Sequence, residues 1–285
     1  DIVLVSLAAQ IGVLPLSLYY FNQLPLLFLL ANLVIIPIST AVLIGGIIIL
    51  FFNFVLPDFA LFLGKILALI IDFMNKYIHW IAQFKNGIIS NISFSVWLTI
   101  ILYVVIISFI YWLYHFKSKN FKCVLLSVFL FQMSYFGIKF TENNAYELIV
   151  LNSKSSAITI KQNNSIIAFT DNPEINLEAL NHYKRGTFSD SLLILPMRNV
   201  LSFNDKRILV IDSVGIYKTS IRPEIIVLTQ NPKINLSRLI TEIKPKLVIS
   251  DKTNYKNNNT IWQATCRKEK IPFHAIAEKG FYKLK

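Results

Sequence analysis

The sequence predicts a polytopic α-helical membrane domain, residues 1–140, followed by a soluble α/β domain, residues 141–285. Three observations predict it. The 285 residues are 54% hydrophobic and only 15% charged, against about 25% charge in an ordinary soluble domain. The charge is also unevenly placed. Up to Lys139 the ionisable residues besides histidines are Asp1, Asp58, Lys65, Asp72, Lys76, Lys85, Lys117, Lys119, Lys122 and Lys139, whereas 21 basic and 13 acidic residues follow. Finally, a long apolar run ends in Thr141-Glu-Asn-Asn144, a natural seam between two unlike halves. A single water-soluble globule, a disordered chain and a collagen-like chain are excluded by this composition. Two cysteines exclude a disulfide scaffold, and a net charge of +12 points to an anionic partner or a membrane surface.

A helix needs roughly 20 apolar residues to cross a bilayer core. Ile2–Phe21 supplies one such run, with Pro15 placed to kink it. Asp1 leads straight into that run with no signal-peptide n-region, so the chain is expected to begin inside a membrane domain. From Leu24 to Leu56 the apolar stretch is longer than one span needs, and Asn32, Pro37 and Gly45–Gly46 interrupt it. A short half-helix followed by a full span is expected there. Through Asp58–Phe84, Asp58, Lys65, Asp72 and His79 recur every seven residues, a polar stripe along an otherwise apolar helix. Such a helix lies flat on the membrane or stands upright with its stripe toward a wet cavity. An Asp72–Lys76 pair suits an ordinary surface helix equally well. Val96–Phe116 and Cys123–Phe140 are two further spans, joined by the basic loop from Lys117 to Lys122. Short lysine-rich loops stay cytoplasmic. The last span should therefore exit on the other face and leave the soluble domain extracytoplasmic, or periplasmic in a two-membrane bacterium. Trp97 at one end of its span, and Tyr111, Trp112 and Tyr114 at the other, suit interfacial aromatic belts.

In the soluble half, Glu147–Asn152, Ala157–Gln162 and Ser165–Thr170 read as short strands in a meander. Asn176–Tyr183 is helical, with Gly186 ending it. Arg207–Ile211 and Glu224–Thr229 are β-rich, Asn235 caps a helix through Glu242, and Lys246–Ser250 follows as a strand. A helix around Thr260–Glu269 leads to Phe273–Ala277 and a last strand, Phe281–Leu284, so the chain ends in α/β alternation.

Signals for an enzyme are weak. A catalytic zinc or manganese site needs several His or carboxylate ligands, and this half holds only His182 and His274, far apart in sequence. No nucleophile elbow or phosphate-cradling glycine loop occurs. Asp212 and Asp251 end strands, where aspartate commonly forms turns. Basic residues are better represented: Lys184–Arg185, Lys206–Arg207, Lys244–Lys246 and the Arg267, Lys268, Lys270 cluster. Such charge binds phosphate backbones without sequence specificity, and Tyr183, Tyr217, Tyr255 and Trp262 are available to stack on unpaired bases. A lysine-rich solvated surface is the equally ordinary reading.

Two stretches resemble the ComEC-type competence proteins, which carry transforming DNA across the bacterial inner membrane. The first runs from Ser6 to Pro37. Its matches fall on Gln10, Gly12 and Pro15 in an Ala-Gln-x-Gly-x-x-Pro span, Tyr20 and Phe21 at its exit, and Asn32 and Pro37 in the re-entry. The second is the tail. Glu224–Thr229, Ile243–Ser250, Asn254–Tyr255 and Glu278–Leu284 resemble the final strands and loops of the metallo-β-lactamase-like domain that ends many family members. The family's His-His-Gly-Ser turn is replaced by Gln230-Asn-Pro-Lys233, and no His-x-His-x-Asp-His motif is present. The resemblance therefore implies a reduced, metallo-β-lactamase-like fold without its metal ligands or any other cofactor, hence not an enzyme.

The function expected is an inner-membrane component of DNA uptake that forms or contributes to a channel for single-stranded DNA. Gln10, Asn22, Gln23 and Asn32 are the expected path-facing polar groups, and Gly12, Pro15, Tyr20, Phe21 and Pro37 shape the helices around them. Lys184, Arg185, Lys206, Arg207, Arg267, Lys268 and Lys270 are the expected contacts to the DNA backbone, in a domain that guides the strand without cutting it. The resemblance implies as partners single-stranded DNA, membrane lipids, an external DNA receptor, a cytoplasmic helicase or ATPase, and further copies of the chain. Two rival readings stand beside it. One is a membrane-tethered phosphodiesterase using carboxylates such as Asp212 and Asp251, the other a transporter for a small solute.

Overall fold

In lipid, a helix that satisfies its own backbone is the economical structure. The computed structural model describes residues 2–84, 87–217 and 222–284. Asp1 and Lys85, counted above among the ionisable residues, lie outside them. Two compact units emerge, Asp1–Tyr135 and Phe136–Lys285.

The first unit starts with α1 (Ile2–Phe21), which runs on through Pro15. That proline leaves the Ile11 carbonyl without its helical donor, and next to it Tyr103 donates its hydroxyl to the Gly12 carbonyl at 3.0 Å. The half-helix and span expected over Leu24–Leu56 do not form. A two-residue strand β1 (Leu24–Pro25) is followed by one continuous helix, α2 (Phe28–Val55), which carries Pro37 and both glycines inside it. A proline removes a single helical hydrogen bond, whereas an unwound segment would leave several polar groups to satisfy in hydrocarbon. Continuity is the cheaper solution.

Helix α3 (Pro57–Ala82) begins one residue after α2 ends, with Pro57 in its first turn. It runs back alongside α2. Phe52 and Phe59 meet with ring centroids 5.2 Å apart, Leu67 packs against Gly45, and the Tyr77 hydroxyl donates to the Leu30 carbonyl at 2.9 Å. Strand β2 (Ile88–Ile89) then pairs antiparallel with β1, Leu24 opposite Ile89 and Pro25 opposite Ile88. The end of α3 is thereby tied beside the start of α2. Gly87 makes the approach possible, since a Cβ there would meet Leu27 Cδ1 at 2.6 Å. The Asp72–Lys76 pair forms, at 2.8 Å.

Helix α4 (Val96–Tyr114) is capped by Ser95, whose hydroxyl accepts from the Leu98 amide. Helix α5 (Ser118–Asn143) starts earlier than the span expected at Cys123 and takes Lys119 and Lys122 onto its first turns. The Ser108 and Ser127 hydroxyls link the two helices at 2.9 Å. Helices α1, α2, α4 and α5 are long and apolar enough to cross a membrane.

The second unit is built from two five-stranded sheets. One contains β3 (Glu147–Val150), β4 (Ala157–Gln162), β5 (Ser165–Thr170), β6 (Ser191–Pro196) and β12 (Tyr282–Leu284), in the order β12-β3-β4-β5-β6. The expected meander is there, and β6 lies parallel to β5 after a crossover through α6 (Pro173–Gly186). The other sheet has the order β11-β10-β9-β8-β7, formed by β7 (Val200–Phe203), β8 (Lys206–Ile211), β9 (Ile225–Leu228), β10 (Leu247–Ser250) and β11 (Phe273–Ala275). Strands β8 to β11 are parallel, connected in part by α7 (Leu236–Ile243) and α8 (Lys256–Lys268). Leu148, Ile158, Phe169, Phe203, Ile208, Val227 and Ile249 pack together between the sheets. On the outer face of the second sheet, Leu209, Ile226 and Val248 meet Leu239 of α7 and Trp262 and Cys266 of α8. Strands β6 and β7 were not expected from the sequence; the half-exposed pattern of Ser191–Pro196 hides its period. Short α9 (Ile276–Lys279) follows β11 and ends at Gly280, whose φ of +80° favours glycine.

One buried charge anchors this unit. The Lys161 side chain is fully buried and donates to Glu142 Oε2 at 2.9 Å and to the Thr187 carbonyl at 3.1 Å. Removing one partner of such a pair leaves an uncompensated charge. Glu142→Gln should destabilise the unit by about 3 kcal/mol, and Lys161→Met by less, because the apolar chain leaves no buried charge behind. Urea unfolding of the two variants checks the order.

Candidate functional site

Strands β5, β8, β9 and β10 finish at the same end of the sandwich, and the residues that follow them meet there. Gln230 Nε2 donates to Asp171 Oδ2 at 2.6 Å, and Ser213 Oγ donates to Gln230 Oε1 at 3.2 Å. Asp212 accepts from the Val214 amide at 3.0 Å, and Asp251 Oδ1 accepts from the Thr253 amide at 3.0 Å and its hydroxyl at 2.6 Å. Both aspartates thus form turns, as their positions suggested. Gln230 and Asn231 stand in consecutive left-handed conformations, φ +58° and +55°, a strained arrangement for residues with a Cβ. Straps hold them: the Gln230 amide donates to Thr253 Oγ1 at 2.7 Å and the Asn231 amide to Asn254 Oδ1 at 2.8 Å.

Burial raises the Asp171 pKa above the ordinary carboxylate range. The Gln230 hydrogen bond works against this, and the Asp212 charge adds to it. Asp251 is 1% exposed. Burial raises its pKa as well, against the hydroxyls of Thr253, Thr229 and Ser156. Asp251 Oδ2 and Ser156 Oγ have no partner in hydrogen-bonding geometry among the described residues. The donor set does not fit the metal centre that a metallo-β-lactamase-like fold would imply. Gln230 and Asn231 supply weak amide ligands already engaged by protein, and no three His, Cys, Asp or Glu residues among those described are grouped to hold an ion.

The opposite end of the sandwich is basic. Lys184 and Arg185 lie in the last turn of α6, and Arg267 and Lys268 in the last turn of α8. Lys206 and Arg207 open β8, and Lys270 follows α8. In a β-α-β crossover, the helix C-terminus and the start of the next strand share an end, so pairs remote in sequence converge there. Helix C-termini favour cations. Lys246 pairs with Glu224 at 2.7 Å. The Lys246 hydrogen bond, against a small burial effect and with the charges of Lys246, Lys206 and Arg207, holds the Glu224 pKa low. The pairs do not form one continuous face, since α6 covers the first sheet while α8 covers the second. Lys139 and Glu142, the last turns of α5, join at this end through Asp190 and Lys161.

A third feature lies outside the second sheet. A groove of about 750 Å³ between α7 and α8 is lined by Lys233, Tyr255, Asn258 and Trp262. Tyr255 is 71% exposed and Trp262 buried, so of this pair only Tyr255 presents a ring face. Tyr183 is half-buried and donates to Glu147 at 2.7 Å. Burial and the Glu147 carboxylate raise its pKa. His274 packs on Tyr282 and its Nε2 meets the Gly280 carbonyl at 3.0 Å. Both cysteines are free, and burial pushes the Cys266 thiol up to about 11.

In the membrane unit the four amides differ. Asn22 takes a left-handed conformation, φ +53°, after α1. Its side-chain nitrogen donates to the Leu18 and Ile92 carbonyls, and the Ile92 amide donates back to the Asn22 carbonyl. It fastens the helix end. Gln10 and Asn32 are half-buried and Gln23 is exposed, and none of the three has a hydrogen-bond partner among the described residues. Pro15 is buried, while Gly12, Tyr20, Phe21 and Pro37 are exposed.

Two family models match this chain: Competence protein over residues 1–116, and ComEC C-terminal domain over residues 148–285. The chain belongs to the ComEC-type competence family. No curated protein and no solved structure matches it. The apolar helices and the competence domain make this ComEC-type chain a multi-pass membrane protein. Gln230 and Asn231 stand at the position where the sequence resemblance expects a His-His-Gly-Ser turn. The polar straps from Thr253 and Asn254 went unforeseen because they join segments more than twenty residues apart.

Asp251 yields a pH prediction. Its folded pKa lies above the unfolded value of about 4, so the folded state holds the proton more tightly. Its contribution to stability falls as pH rises from about 4 through the raised folded pKa. Asp251→Asn keeps the Oδ1 acceptor and replaces the buried anion. The variant should gain about 1 kcal/mol at pH 8 and lose that slope, as read by thermal melts across pH 4–8.

Proposed function

We propose that this chain is an inner-membrane component of DNA uptake in natural transformation, contributing to a channel for single-stranded DNA. The match of its helical part to the competence domain is the single observation that carries this reading. A polyanion cannot enter hydrocarbon bare, so its route is hydrated and lined by polar groups. Gln10, Gln23 and Asn32 are the amides free to face it, and uncharged amides pass phosphates without trapping them. Asn22, engaged by backbone, is better read as a structural residue. Pro15 and Pro37 sit where helix backbone carbonyls lose donors, a feature tolerated beside a cavity.

The C-terminal domain reads as a reduced metallo-β-lactamase-like scaffold acting as a basic, non-cutting guide. Two packed sheets with helices outside support the scaffold, and an amide network where ligands would stand supports the loss of cutting. The lysines at the α4–α5 junction, Lys117 before α5 and Lys119 and Lys122 on its first turns, support an extracytoplasmic position for this domain. A DNA receptor outside and a helicase or ATPase inside are the partners this role needs, and further copies of the chain remain part of the proposal.

Cells lacking the gene should lose transformation while small-solute uptake stays intact; normal transformation refutes the reading. The full chain in nanodiscs should bind single-stranded oligonucleotide, with affinity falling steeply as salt rises. Lys206→Gln with Arg207→Gln should lower the salt slope by about 2 if both contact phosphates. Cleavage of the oligonucleotide by the purified chain with added manganese would replace the guide role with a phosphodiesterase.

A further inference from the structure

The polar stripe of α3 makes no ion pair to another element among the described residues. Residues Ala60, Leu67, Met74 and Ile81 are buried or half-buried on the face toward α2. Asp58, Lys65, Asp72 and His79, on the other side of the helix, are all exposed. Asp72 and Lys76 pair with each other, and Lys65 makes no ion pair among the described residues.

The hairpin decides how this helix stands. Its contacts with α2 run from Phe52–Phe59 at the turn to Tyr77–Leu30 near the far ends. The β1–β2 pair then brings the chain after α3 back beside the chain before α2. Helix α3 therefore traverses the same thickness as α2, whose 28 residues form one of the most apolar elements in the molecule. A hairpin lying flat would strand that apolar helix in water and headgroups, so both arms stand upright. At 1.5 Å per residue, Asp72 lies about 4 Å from the midpoint of α3, too deep for its short side chain to reach a headgroup layer. Charges at that depth face water or a polar partner. A second copy does not serve: parallel copies about an axis normal to the membrane would set Asp58 against Asp58 and Lys65 against Lys65.

We infer that the Asp58–Lys65–Asp72–His79 face of α3 forms a wall of the hydrated path across the membrane. The inference rests on the channel reading and adds α3 to it as a fifth crossing helix. Its charges alternate in sign, so the wall holds water without a net cationic trap for phosphates.

Leu69 tests it without touching a charge. It is 70% exposed and lies between Lys65 and Asp72 on the same face. Ile107 of α4, 64% exposed at mid-helix with apolar neighbours, is the lipid-facing reference. Single variants Leu69→Cys and Ile107→Cys are made in the full chain with Cys123→Ser and Cys266→Ser, and checked for membrane insertion. A charged, membrane-impermeant thiol reagent should label Leu69→Cys at least tenfold faster than Ile107→Cys, and the label should block transformation. Equal, slow labelling at both positions overturns the inference, and Asp72→Cys, read in the same way, guards against a local effect at position 69. If Gln10→Cys or Asn32→Cys is labelled and its label blocks uptake while Leu69→Cys is inert, the channel reading stands and α3 is not its wall. If deletion of the gene leaves transformation intact, the channel reading itself fails whatever the labelling.

Discussion

Hydrocarbon offers no hydrogen bonds, and that constraint shapes the first half of this protein at every scale. It keeps α2 a single helix through a proline and two adjacent glycines, because breaking the ladder once costs less than solvating an unwound stretch. It sends the Tyr103 hydroxyl to a carbonyl beside the Pro15 gap and the Ser39 and Thr40 hydroxyls to the Ile36 carbonyl. It also makes the exposed charges on α3 conspicuous. A charge that would be unremarkable on a soluble helix demands an explanation when its neighbouring arm is long and apolar enough to cross a bilayer.

The second half obeys a different rule, the shared direction of its parallel strands β5 and β6 and β8 to β11. Parallel strands with crossover helices put all helix C-termini and strand starts at one end and all strand ends at the other. Cations gather at the first, where carbonyl dipoles favour them. Aspartates and amides gather at the second, where turns need them. The Lys161–Glu142 pair brings the last turn of α5 to the basic end. Glu147 nearby is held below its usual pKa: burial alone would raise it, but the Lys283 and Tyr183 hydrogen bonds outweigh that effect.

The strand-end network is held together by amides and hydroxyls from four strand ends. In the left-handed turn at Gln230 and Asn231, the side chains of Thr253 and Asn254 accept from the two backbone amides. Asp171 accepts a hydrogen bond from Gln230. Asp251 Oδ2 and the Ser156 hydroxyl lie in this site without a partner in hydrogen-bonding geometry among the described residues.

The sequence alone determined the division into an apolar and a charged half, the apolar runs of α1, α4 and most of α5, and most strands of the soluble domain. Those follow from local composition and periodicity, which act over a few residues. It also showed the heptad stripe from Asp58 to His79, but not its posture, because an amphipathic helix reads alike on a membrane and across one. The β1–β2 pairing and the Tyr77–Leu30 contact set α3 antiparallel beside α2, by joining segments that the linear pattern leaves independent. The same holds for Asn22, a path candidate in the sequence and a fastening for α1 in the fold. The convergence of Lys184, Lys206 and Arg267 at one end likewise depends on strand direction, a property of pairing between distant segments.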